Sequence, residues 1–220
     1  MKPIIMIFLL ILSALAVLQV EVQPPSDDSY INMQEPATNY GSANSINISS
    51  VLWHAGMWWE VHTCKSLIKF TTLPQLPSGT VLGSCYLELH DSILSFWGGT
   101  PYVFCYQVEG DWDEDSVTWN NKPDIGDYLC GVPLQGMPPV VRFNITPAVH
   151  DWYEDPATNK GVELLFAGTK GGSMRDDGYS YALSCVSKEG TIAQSLKLVI
   201  MCCETDVQPS SLGNLKAFYH

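Results

Sequence analysis

Three aspartates spaced by two, Asp111, Asp113 and Asp115, lie in the stretch DWDEDSVTWNNKPDIG from Asp111 to Gly126, and they are the residues best suited to chemistry in this chain. Alternate carboxylates can turn oxygens toward one hard cation, the donor set that calcium takes. The stretch lacks the sixth-position glycine and closing glutamate of a helix–loop–helix calcium site, and turn carboxylates also cap backbone N–H groups. Calcium is therefore an optional cofactor, and turn capping the structural alternative. Paired carboxylates also suit glycoside hydrolysis, but nothing in the spacing of the acids fixes two of them at the separation that reaction needs. No Gly-x-Ser-x-Gly is present, and His54, His62, His90 and His150 do not have metal-ligand spacing. The chain reads as a binding protein rather than an enzyme.

Binding directs attention to aromatics. Sugar rings stack their C–H faces on indoles, with Asn, Asp or His nearby to bond hydroxyls. Trp58 and Trp59, in HAGMWWE between expected strands, and Trp97, in SFWGG, are the carbohydrate-binding candidates. Two adjacent tryptophans on an extended segment point to opposite sides, so one of them faces solvent. Trp112, Trp119 and Trp152 are expected to pack inside.

Seven cysteines without CxxC or paired Cys/His spacing suit disulfides better than zinc, and the odd total leaves at least one thiol over. Cys64, Cys85, Cys105, Cys130, Cys185 and Cys202 are the disulfide candidates, with the pairing open. Cys64, Cys85 and Cys202 share the parity of nearby apolar residues and are expected to face the core, while Cys203 is the expected odd thiol.

The amino-terminal residues indicate where such a surface would work. Lys2, the apolar run Ile4 to Leu12 and Ala14-Leu15-Ala16 form a secretory signal ending near Ala16, since Ser13, Gln19 and Glu21 interrupt the run before it can span a bilayer. The expected organisation is a signal at 1–16, a linker at 17–28, one domain at 29–203 and a tail at 204–220. The released chain would be extracellular. Loss of Lys2 leaves 10 Lys plus Arg against 23 Asp plus Glu, one unit more negative than the −12 of the full chain. That field disfavours nucleic acid and anionic membrane surfaces as partners and leaves neutral glycans, cations or basic proteins.

The rest is short alternating segments separated by Gly, Pro and Asn clusters. Strands are expected at 29–33, 45–52, 62–70, 81–90, 102–108, 116–119, 128–134, 140–144, 162–167, 179–185 and 195–202. Their number and spacing predict an all-β fold, a β-sandwich or jelly roll of two antiparallel sheets. One short helix is expected from Thr146, as cap, through Pro147 to Trp152, with Val149 and Trp152 on one face. Pro36-Ala37-Thr38-Asn39-Tyr40-Gly41 recurs as Pro156-Ala157-Thr158-Asn159-Lys160-Gly161, two similar turns. Asn47-Ile48-Ser49 is a glycosylation sequon; Asn144-Ile145-Thr146 is discounted because Pro147 follows and Thr146 is needed by the helix.

The ordered set ATNYGSANSINIS (37–49), SLIKF (66–70), LPSGTVLGSCYLEL (76–89), WDEDSVTWNNKPDIG (112–126), RFNITPAVHDW (142–152) and PATNKGVELL (156–165) resembles the DNRLRE-domain family, related to disaggregatase-type repeats and classed among carbohydrate-binding modules. The resemblance implies a secreted β-sandwich that binds glycans. The chain departs from it in its many cysteines and at Arg175-Asp176-Asp177, which does not reproduce the naming motif. Two functions follow. One is a module that recognises extracellular polysaccharide through loop aromatics. The other is a structural subunit of a matrix or surface fibre that self-associates through strand edges, the 204–220 tail or an intermolecular disulfide.

Overall fold

The structure, a computed structural model, describes residues 17–55, 58–90, 92–97, 99–134, 139–166, 178–191 and 195–204, without the side chains of residues 17, 53–55, 58, 59 and 204. The expected signal, the 205–220 part of the tail and the 175–177 segment lie outside these residues. Twelve strands are present among them: β1 (Val17–Val22), β2 (Asp27–Asn32), β3 (Ser45–Ala55), β4 (Trp58–Lys69), β5 (Thr80–His90), β6 (Ile93–Trp97), β7 (Tyr102–Val108), β8 (Ile125–Pro133), β9 (Val140–Asn144), β10 (Val162–Phe166), β11 (Tyr179–Val186) and β12 (Lys197–Glu204). One helix, α1 (Thr146–Glu154), and a 3-10 turn at Pro156–Thr158 interrupt them.

The strands form two antiparallel sheets, as the alternation predicts. One has the order β1-β12-β5-β9; the other runs β6-β11-β3-β4-β10-β7-β8, with β2 also paired to β4. Leu87, Leu89, Phe143, Leu198 and Ile200 from the small sheet meet Ile46, Ile48, Leu164, Phe166, Tyr181 and Leu183 from the large one in a single core. Full burial of each such side chain is worth roughly 1.5–3 kcal/mol, so period-two patterning on both sheets is what closes the sandwich. Helix α1 adds Ala148, Val149 and Trp152 to that core, with Val149 and Trp152 on one face as expected.

Several elements depart from the sequence reading. Residues 17–28 are not only a linker, because β1 lies antiparallel on β12 with Val20 opposite Ile200. Residues 116–119 form turn structure rather than a strand, and 93–97, which lie outside the expected strands, are the edge strand β6. That strand was hidden because four of its five residues are exposed and give no alternation. Thr146 does not cap α1: Ile145 is the cap residue without a side-chain bond, and the Thr146 hydroxyl accepts from the Cys85 N–H at 2.8 Å while donating to Asn144 Oδ1 at 2.7 Å. The hydroxyl thus ties the helix start to β5.

The stretch 111–126 lies over β4 and forms a second, smaller core. Trp112 and Val117 are buried against Ile31, Leu67 and Val108, with Trp119 half-buried beside them. Lys69 stands 4.6 Å from the Trp112 ring centroid, and Lys65 and Lys122 stand 5.6 and 5.0 Å from that of Trp119. Both copies of the PATN turn act as clasps. Asn39 donates to the carbonyls of Glu114 and Val117 at 2.6 and 2.8 Å, and Asn159 donates to that of Phe70 at 2.7 Å. Neither following glycine leaves room for a Cβ, which would collide with the Glu114 carbonyl at Gly41 and with the Ile68 carbonyl at Gly161, and of the two only Gly161 has a positive φ, +86°.

Asp28 is buried where β2 meets the 187–190 turn. Its Oδ2 accepts from the Lys188 N–H at 2.9 Å, while Oδ1 has no partner. Desolvation pushes its pKa up to about 7, with Glu189 and Glu114 adding to the shift and Lys188 opposing it.

Two predictions follow from these positions. Gly161→Ala is expected to cost about 2 kcal/mol or more in chemical denaturation, and Gly79→Ala about 1, because Gly79 has φ +76° but open space around it. Asp28 binds a proton in the folded state where the unfolded chain has released it. Its contribution is therefore fully present below about pH 4 and lost as pH rises toward about 7. Asp28→Asn should remove a decline of roughly 2–4 kcal/mol across that window, read by denaturation at pH 4.5 and 7.5; equal slopes for the two proteins would contradict this.

Candidate functional site

Small side chains on the face of the large sheet away from the main core define the site. Ile46 and Ile48 of β3 and Leu183 and Cys185 of β11 point inward, so the residues between them point out. The register aligns Ser95, Ala182, Ser49, Cys64 and Asn32 across β6, β11, β3, β4 and β2. The adjacent row holds Ile93, Ser184 and Asn47. These residues line a groove of about 370 Å³, together with Tyr30. Large side chains would fill it; serine, alanine and asparagine leave a channel floored by backbone already committed to ladder hydrogen bonds.

Its walls supply stacking surface and hydrogen-bonding groups. Tyr30 stacks on Tyr40 with ring centroids 4.1 Å apart. Tyr40 donates to Glu35, and the Asn32 Oδ1 accepts from the Gln34 N–H at 3.0 Å. Burial holds the Tyr30 and Tyr40 phenols above their usual range, in Tyr30 against the lowering effect of a hydrogen bond with Asn47, so both rings stay neutral at physiological pH. At the other end, Trp97 is 53 % exposed on β6, opposite Ser180 in a row that continues to Val51 and His62. Ile93, at 67 % exposure, makes the apolar rim.

The tryptophan candidates divide accordingly. Trp97 is an exposed ring beside the groove. Trp58 and Trp59 belong to β4 and not to a loop, opposite Ala55 and His54, and their side chains lie outside the described residues. Trp112 and Trp152 are buried and Trp119 half-buried, the packing roles expected of them. Asn32, Ser49, Ser95 and Ser184 were not singled out from sequence, although Ser and Asn at period two in SINISS (45–50) and SYALS (180–184) carried the signal.

A larger cleft, about 660 Å³, lies between residues 71–76 and Trp152, Tyr153, Pro156 and Asn159. Its polar groups are partly spent on internal bonds, Tyr153 to the Pro74 carbonyl at 2.8 Å and Asn159 to that of Phe70. Trp152 presents almost no surface to it.

The three aspartates do not converge. Asp111 is ion-paired with Lys160 at 2.6 Å, which holds its carboxyl below the usual range, and Asp113 Oδ1 accepts from the Asp115 N–H at 2.9 Å. Among the described residues no group of three His, Cys, Asp or Glu is placed to hold a metal ion. Asn47 lies half-buried inside the groove.

All seven cysteines are thiols in the structure. Cys85 and Cys202 face the main core as expected, and burial pushes Cys85 up to about 12. Cys64 does not: it is half-buried in the groove. Its register partners, Ser49 on β3 and Asn32 on β2, line the same groove.

The cationic groups complete the electrostatics. Lys65, Lys69, Lys160, Lys188, Lys197 and Arg142 are each ion-paired with a carboxylate, and Lys122 lies over Trp119. None of these lines the groove.

Residues 19–201 match the model of carbohydrate-binding module family 96, and the chain belongs to that family. No curated protein matches it. The match supports the carbohydrate-binding-module class read from the sequence.

From the engagement of Asp111 and Asp113, millimolar calcium is expected to leave the melting temperature unchanged. A rise of several degrees that disappears in Asp113→Asn would show that the carboxylates rearrange around an ion.

Proposed function

We propose that this member of carbohydrate-binding module family 96 is a secreted, non-catalytic module that holds a neutral extracellular polysaccharide in the groove across β6, β11, β3, β4 and β2. The observation that carries this reading is the five-strand row of small residues, Ser95, Ala182, Ser49, Cys64 and Asn32, bordered by the exposed Trp97. A sugar chain laid across the strands meets hydroxyl and amide groups along its length and an indole face at one margin. A neutral ligand fits the charge balance, because the described cations are already engaged and the chain carries −12 overall. The resemblance to the DNRLRE-domain family read from the sequence implies the same class of ligand.

The rigid ladder beneath the groove favours a preformed site, which limits the ordering cost of binding. An N-glycan on Asn47 would occupy the same space, so a molecule modified there is expected not to bind. Calcium has no part in the contacts proposed.

Affinity electrophoresis of the full mature chain through gels containing neutral or anionic polysaccharides tests the reading. Retention is expected in a neutral gel and should weaken about tenfold, roughly 1.4 kcal/mol, in Trp97→Ala and more in Ser49→Tyr, which fills the groove. Far-UV circular dichroism should stay unchanged. Retention equal to wild type in both folded variants would exclude the groove, and retention only in anionic gels would exclude the neutral ligand.

A further inference from the structure

The seven thiols are not equivalent. Cys105 on β7 and Cys130 on β8 are directly opposite each other in an antiparallel ladder, and among the seven cysteines they are the only two that share a register position. Directly opposed residues of an antiparallel pair have Cα atoms about 4.5–5.5 Å apart, inside the range of roughly 4.4–6.8 Å that a disulfide spans. The nearest rival, Cys85 with Cys202, is offset: Cys85 is opposite Ile200 and Cys202 opposite Leu82, with a register shift between Ile200 and Cys202. Cys64 is opposite Ser49 and Asn32, Cys185 opposite Ile46, and Cys203 opposite Val17 and Val81.

We propose that Cys105 and Cys130 are a built cross-strand disulfide site, oxidised by exchange with a small-molecule disulfide that enters at Cys130. Access sets the order of events, since Cys130 is half-buried and Cys105 fully buried. The hydrogen bond from the Cys105 thiol holds Cys130 below the usual thiol range, aided by the Asn144 backbone, whereas burial drives Cys105 well above it. Cys130 therefore loses its proton to solvent and its sulfur attacks the incoming disulfide. One S–S bond breaks, a mixed disulfide forms at Cys130, and the first small thiolate leaves and takes up a proton. The Cys105 thiol then gives up its proton, its sulfur attacks that of Cys130, and the second thiolate departs. The two protein thiols are oxidised and one small disulfide is reduced to two thiols.

The consequence is mechanical. Strand β8 is the terminal strand of the large sheet, joined to it through β7. The bond would fasten that edge and close a loop around residues 111–126, the segment that covers β4 with Trp112 and Val117.

The test uses the full mature chain, folded reduced and then exposed to oxidised glutathione. Remaining thiols are alkylated, and the protein is cleaved at Asp and Glu without reduction, because Lys122, the one basic residue between the two cysteines, precedes Pro123. The expected product is a peptide pair joined through Cys105 and Cys130, formed before any other cross-link. Cys105→Ser should accumulate a glutathione adduct on Cys130 about tenfold faster than Cys130→Ser accumulates one on Cys105. Alkylation of both cysteines after prolonged oxidation, or pairing of either with a different cysteine, would overturn the site. Equal adduct rates would overturn the assigned point of entry. The wild-type map needs no variant to fold.

Discussion

Strand β4 must serve three partners along twelve residues, and the rest of the architecture is organised around that constraint. Its first half pairs with β3 from Trp58 to Cys64; its second pairs with β2 from Cys64 to Lys69 and with β10 from Ser66 to Ile68. Ile68 enters the main core, Leu67 enters the small core under Trp112, and Cys64 reaches the groove. One strand therefore buries both of its faces at one end and opens onto the groove at the other. The transition comes between Cys64 and Ser66, where β3 gives way to β10.

The covered end is held by charge as well as by apolar contact. Lys65 pairs with Glu163 at 2.8 Å and Lys69 with Asp27 at 3.2 Å, and both ammonium groups lie near the tryptophans of the covering segment. Burial raises the Glu163 carboxyl despite the pull of Lys65. Such pairs are costly to desolvate and costly to break, so they fix the position of the 111–126 segment more than they add stability. At the uncovered end the same sheet presents serine, alanine and asparagine. A strongly acidic chain whose described lysines and arginine are committed to internal contacts is poorly suited to an anionic polymer, and the groove chemistry and the global charge point to the same class of ligand.

The sandwich was legible because period two in segments such as 81–90 and 102–108 reports burial on one face directly. The central segment was legible as packing, since a Trp-x₆-Trp stretch full of turn residues has little other use. What could not be read was geometry created by pairing. Nothing local in ILSFW distinguishes an edge strand from a loop when most of its residues face water. Thr146 looked like a helix cap because the adjacent Pro147 fits that role, yet its hydroxyl is used across the fold by Cys85. The groove itself is a property of register: Ser49, Cys64 and Asn32 are unremarkable until three strands align them. Of the site, the sequence indicated Trp97 and Asn47, the latter as a glycan acceptor, but not the floor between them.

Backbone amide and indole shift mapping during titration with a neutral oligosaccharide tests the groove most directly. The account predicts that the largest changes fall at residues 47–49, 93–97 and 180–184 and at the Trp97 indole N–H. Changes confined to residues 71–76 and 152–159 would place the ligand in the other cleft and contradict it.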